Sequence, residues 1–128
     1  MSQLAPFLEL QREYASHADF AFCYLEEAHP TDGWLYESVN HYVAQPKTMH
    51  ERCIAAEILA NELRSLRAPP DVPLVVDTMT NAASIAYGAL PERLVILQSG
   101  LVRFIGGKGP EEYSIDEARI ALRQLLGA

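Results

Sequence analysis

With 128 residues, 49% of them hydrophobic and 21% charged, the chain has the length of one domain and the composition of a protein that folds around a core, so a single domain over 1–128 is expected. Its 17 acidic and 10 basic residues leave a formal net charge of -7, which argues against a nucleic-acid partner, because phosphate binding draws on clustered Lys and Arg. No apolar run approaches the roughly 20 residues of a membrane helix and no basic segment followed by an apolar stretch opens the chain, so a cytoplasmic protein off the membrane is expected.

In chain order, Leu4, Phe7, Leu8 and Tyr14 recur at helical spacing and predict a short amphipathic helix. The run DFAFCYLEEA (19–28) follows, and its residues from Phe20 to Leu25 show no polar alternation, the pattern of a strand buried on both faces. HPTDGW (29–34) breaks the chain, and a polar loop leads to PKTMHER (46–52), where Thr48 and Glu51 have the spacing of a capping box. A long helix is predicted from there, with Met49, Cys53, Ala56, Leu59, Leu63 and Leu66 on its core face, ending before the prolines of RAPPDVP (67–73).

PLVVDT (73–78) reads as a second apolar strand, and Asp77 or Thr78 can cap the short helix NAASIAYGA (81–89). Alternation of strand and helix predicts parallel pairing. ERLVILQ, the turn SG and LVRFIG (92–106) predict an antiparallel hairpin, because two strand-like runs flank a two-residue turn that contains Gly100. A glycine-rich loop, GGKGPEEY (106–113), then precedes a last helix with a Ser114 and Glu117 capping box and a stripe of Ile115, Ala118, Leu122 and Leu125. The expected order is α-β-α-β-α-β-β-α. Cys23 and Cys53 have neither CxxC nor metal-ligand spacing, so no disulfide framework is expected.

Three of these segments together resemble the iodothyronine deiodinases: YLEEAHPTDGW (24–34), VVDTMTNAASIAYGALPERLVILQSG (75–100) and GGKGPEEY (106–113). The resemblance implies an α/β, thioredoxin-like fold with a mixed sheet, a C-terminal β-hairpin and helix, and oxidoreductase chemistry on a small aromatic halogenated ligand with a thiol reductant and no cofactor. In that family a selenocysteine or cysteine ends the first strand, just before the first helix. Met1 falls inside that helix, so the first strand and the nucleophile are both missing from these residues, and Val72 stands where the family has a further cysteine. The resemblance gives Glu27 and His29 as the proton-delivery pair and Arg93 and Lys108 as substrate-binding residues, to which Trp34 is added as an aromatic beside His29. The family's second histidine falls at Pro46, a departure that separates the expected ligand from thyroid hormone itself.

Chemistry gives these residues competing readings. Reductive dehalogenation needs a soft nucleophile for the halogen and an acid to protonate the carbon it leaves. Glu27 and His29, two apart, face one side of an extended segment and can share a proton, but EEAH can also simply end a strand with solvated groups. Glu26, Glu27, His29 and Asp32 can be drawn as a metal cluster, though no second motif completes the ligand set. GGKGP is either an anion cradle or a plain connection; Trp34 and Tyr36 either cover the pocket or pack; Asp77 reads first as a loop organiser. A missing central strand leaves backbone groups unpaired at about 1–3 kcal/mol each. Two expectations follow: a longer gene product whose UGA codon precedes Met1, or a non-catalytic binding module that repairs its sheet by strand pairing as a homodimer.

Overall fold

A computed structural model describes residues 4–26, 44–90, 92–109 and 112–127. The elements follow the expected order: α1 (Leu4–Tyr14), β1 (Phe22–Tyr24), α2 (Met49–Ser65), β2 (Leu74–Val76), α3 (Ala82–Tyr87), β3 (Val95–Gln98), β4 (Leu101–Ile105) and α4 (Ile115–Leu125). Helices and small sheets alternate in a mixed α/β arrangement, in keeping with a thioredoxin-like fold. Among the described residues, no helix is long and apolar enough to cross a membrane.

The chain falls into two compact units, Phe20–Gly88 and Ser2–Asp19 with Ala89–Ala128. In the first, β1 and β2 pair in parallel with Phe22 opposite Leu74, Cys23 opposite Val75 and Tyr24 opposite Val76. Bonds from Phe22 N to Pro73 O and from Asp77 N to Tyr24 O extend the ladder at both ends. Helix α2 packs on β2. Its N-terminus carries the expected cap, with Glu51 N donating to Thr48 Oγ1 at 3.1 Å and Lys47 N donating back to Glu51 Oε1 at 2.8 Å.

The face that α2 buries departs from the expected one in its first turns. Met49 and Cys53 are exposed and Arg52 and Ala55 are buried in their stead, whereas Ala56 and Leu63 are buried as expected. The stripe is displaced there because Arg52 finds backbone carbonyl acceptors inside the unit, and a guanidinium with acceptors tolerates burial that an unpaired one would not. Nor are the two strands covered on both faces: Cys23 and its partner Val75 are exposed, while Phe22, Tyr24, Leu74 and Val76 are half-buried.

In the second unit, β3 and β4 form an antiparallel hairpin with Gln98 opposite Leu101 and a bulge after Ile96. Ser99 and Gly100 both have positive φ, 54° and 79°, as a two-residue turn matched to strand twist requires. Helix α4 packs on α1 and β3. Leu8, Leu10 and Tyr14 from α1 and Ile115, Ala118 and Leu122 from α4 make the core, and Arg119 ties the helices through Glu13 at 3.1 Å. Ser114 accepts from Glu117 N at 3.1 Å, which completes the expected cap of α4.

Candidate functional site

Parallel strands in α/β proteins carry their functional groups at their carboxyl ends, and the turn that follows β2 is built accordingly. Asp77 is only 4% exposed, yet every lone pair it needs is engaged. Its Oδ1 accepts from Thr78 N at 2.8 Å and Ala83 N at 2.9 Å, and its Oδ2 accepts from Ser84 N at 2.9 Å. Thr78 Oγ1 accepts from Ala82 N at 3.2 Å, so both residues expected to cap α3 do so. Three of the N–H groups that a helix start leaves without partners are therefore satisfied from residues that precede the helix.

Arg52 holds the same turn from α2. It is 2% exposed, and its guanidinium donates to Thr78 O at 2.6 Å and Asp77 O at 3.3 Å. Burial by itself would raise the Asp77 carboxyl, but the bonds from Ala83, Ser84 and Thr78, with the Arg52 charge beside them, bring it below its ordinary value. Asn81, at φ 58°, turns the chain into α3, and its Nδ2 reaches Glu26 Oε2 at 3.4 Å. Arg52 was not among the expected site residues. A charged residue one position off an apolar stripe is the one signal the sequence offers for it.

A second polar region surrounds the glycine-rich loop. Gly106 N donates to Leu94 O and Gly109 N to Glu92 O, both at 2.9 Å, so the loop prolongs the pairing of the hairpin. Arg93, which precedes β3, donates from Nε to Gly106 O at 2.6 Å. Lys108 O accepts from Glu112 N at 3.0 Å, whereas the N–H groups of Gly107 and Lys108 have no partner among the described residues. The Lys108 side chain is exposed. Glycine is required here by contact: a Cβ on Gly107 would lie 2.5 Å from Glu112 Cβ and Glu112 O, and one on Gly109 would meet the Glu92 side chain. Beside the loop, burial and the Glu92 charge push the Tyr113 phenol up to about 12.

Arg93 and Lys108, widely separated in sequence order, are thus brought to one loop. Glu27, His29 and Trp34 lie outside the described residues, as do Asp32, Tyr36 and His41. Of the residues drawn as a metal cluster only Glu26 is described, and it pairs with Asn81.

The family model for iodothyronine deiodinase matches residues 1–126. The chain belongs to the iodothyronine deiodinase family. It is 39% identical over 124 residues to thyroxine 5-deiodinase of Bos taurus, covering 97% of this chain and 39% of that protein. It is 40% identical to thyroxine 5-deiodinase of Gallus gallus over 97% of this chain and 46% of the relative. To type II iodothyronine deiodinase of Homo sapiens it is 40% identical, over 92% of this chain and 43% of the relative. The chain therefore spans about two fifths of the length of the relatives it matches.

Among the described residues of this deiodinase-family chain, the thiols are Cys23 and Cys53, both free and exposed. Loss of water around its sulfur, and then the charge of Asp77, raise the Cys23 thiol above its ordinary value. A reactive cysteine needs the opposite, an electropositive setting that favours thiolate.

Proposed function

We propose that this chain is the substrate-holding part of a deiodinase-type oxidoreductase, acting by reductive removal of halogen from a small aromatic compound that carries an anionic group. The observation that carries this reading is the family match across residues 1–126, joined to a loop that presents Lys108 with two backbone N–H groups. In the proposed reaction the carbon–iodine bond breaks, the iodine passes to a selenolate or thiolate, and the carbon takes a proton. A thiol reductant then returns two electrons and iodide is released. Glu27 and His29 are the proposed proton path, with Trp34 against the ring and Lys108 at the anion.

The nucleophile is not to be sought in Cys23, whose thiol is shifted away from reactivity, or in Cys53, exposed on the outer face of α2. The 128 residues by themselves are accordingly proposed to bind substrate without turning it over. The test is thiol-dependent iodide release. The chain with both cysteines replaced by serine should release none, and a form extended at its N-terminus by a strand bearing selenocysteine or cysteine should release iodide. Turnover by the unextended cysteine-free chain would overturn the reading.

One observation favours a second proposal, a non-catalytic interaction module that pairs with a copy of itself. Among the described residues the strands form two two-stranded sheets, and Leu97, Val102 and Ile105 of the hairpin are exposed. Open strand edges and uncovered apolar residues are what strand addition uses. Sedimentation of the 128-residue chain decides it, since a folded strict monomer excludes the homodimer.

A further inference from the structure

Two basic residues meet at the glycine loop, Lys108 within it and Arg93 reaching it from before β3. Arg93 Nε donates to the carbonyl oxygen of Gly106 at 2.6 Å. That carbonyl belongs to the same peptide unit as the N–H of Gly107. In a trans peptide the C=O and the N–H point in opposite directions within one plane, so holding the oxygen also aims the hydrogen. The Gly107 N–H therefore points away from the Arg93 Nε, and neither it nor the Lys108 N–H has a partner among the described residues.

The rest of the loop is held on both sides of this peptide. Gly106 N is bonded to Leu94 O, Gly109 N to Glu92 O, and Lys108 O to Glu112 N. Glu112 lies so close to Gly107 that a Cβ would stand 2.5 Å from its backbone oxygen. The carbonyl of the peptide between Gly106 and Gly107 is thus set by a side chain instead of by the strand ladder. Successive backbone N–H groups can make a concavity suited to an anion.

We infer that Arg93 is a positioning residue: it orients the Gly106–Gly107 peptide so that the N–H groups of Gly107 and Lys108, with the Lys108 ammonium, receive a carboxylate, and its own charge does not contact that carboxylate. The inference rests on the proposed anion-binding role of Lys108. It sharpens that role by separating the group that touches the anion from the group that shapes the loop.

Glutamine and methionine separate the two roles. The Nε2 of a glutamine is as many bonds from the backbone as the Nε of arginine, so Arg93→Gln keeps a donor for Gly106 O and removes the charge. Arg93→Met keeps the length and removes the donor. Amide NMR spectra of the free protein are expected to show the Gly107 and Lys108 signals displaced in Arg93→Met and near their original positions in Arg93→Gln. Titration with phenylacetate is expected to give about a tenfold weaker affinity for Arg93→Met, the effect of one hydrogen bond, and a value within about threefold of the original for Arg93→Gln.

If Arg93→Gln weakens phenylacetate as much as Arg93→Met does, the guanidinium charge touches the anion and the inference is wrong. Unmoved Gly107 and Lys108 amide signals in Arg93→Met overturn it too. Should Arg93→Met fail to fold, Arg93→Gln decides alone, because a direct contact loses its charge in that variant. An affinity unchanged in Lys108→Gln sinks the anion reading, while the spectra of the free protein still report what Arg93 does.

Discussion

The turn after β2 and the glycine loop after β4 are both strand ends crowded with polar groups, and they are organised in opposite ways. At Asp77 the side chains do the organising. A buried carboxylate takes three backbone N–H groups and a buried guanidinium takes two carbonyls, so the turn is closed upon itself. At Gly106–Gly109 the backbone does the organising, glycine makes room for Glu112 and Glu92, and beside the exposed Lys108 two N–H groups have no partner among the described residues. The difference teaches where to look for structure and where for binding. Buried charge with every partner internal supports a fold; outward donors held by a rigid frame can serve a ligand.

The comparison breaks most severely if Asp77 can be removed without penalty. Asp77→Ala leaves three N–H groups without their acceptor and removes the negative charge beside Arg52, whose backbone carbonyl acceptors remain, and a loss of about 3 kcal/mol is expected by urea unfolding. A loss below about 1 kcal/mol, within the range of ordinary surface changes, would show that water replaces the carboxylate and that the turn is not a closed network.

Acid tests the same turn without a mutation at neutral pH. The folded Asp77 carboxyl lies below its ordinary value of 3.8, so protonation favours the unfolded chain. Its contribution is whole above about pH 4 and is lost as pH falls through the folded value. Urea midpoints measured downward from neutral pH should fall more steeply in the natural chain than in Asp77→Asn. Parallel curves would assign the acid sensitivity to other carboxylates.

In the glycine loop the expected losses come from crowding. Gly107→Ala sets a Cβ against the Glu112 backbone and should cost about 2 kcal/mol, whereas Gly109→Ala meets only the Glu92 side chain, which can swing aside at about 1 kcal/mol or less. Thermal melts of the two variants check the order, and equal losses would mean that the backbone at Glu112 yields as readily as a side chain. The smallest effect is expected at Lys108. Its side chain is exposed, so Lys108→Gln should leave stability within about 0.5 kcal/mol while it weakens anion binding. A marked loss of stability there would place Lys108 with Asp77 as a structural group.

Much of the fold is legible in the chain. All eight elements occur in the expected order, Thr48 and Ser114 cap their helices, and the Ser99–Gly100 turn closes the hairpin. These features depend on neighbours in sequence, and Thr, Ser and Gly act within a few residues of where they stand. The first turns of the buried face of α2 were not legible, because Cys53 and Met49 look like core and Arg52 does not. Hydropathy scores a side chain by its own cost in a core and cannot register the Thr78 carbonyl waiting there.

The site divides along the same line. Residue type and order by themselves pointed to EEAH and GGKG as candidate stretches, and determined that Asp77 caps a helix and that the family is that of the deiodinases, since each is a pattern within a short stretch or a match along the whole chain. Only the tertiary structure decided that Arg52 belongs to the turn at Asp77 and that Arg93 grips the loop of Lys108. Arg52 and Asp77 are 25 residues apart and Arg93 and Gly106 are 13, and a hydrogen bond between distant residues exists only once packing has brought donor and acceptor to within about 3 Å.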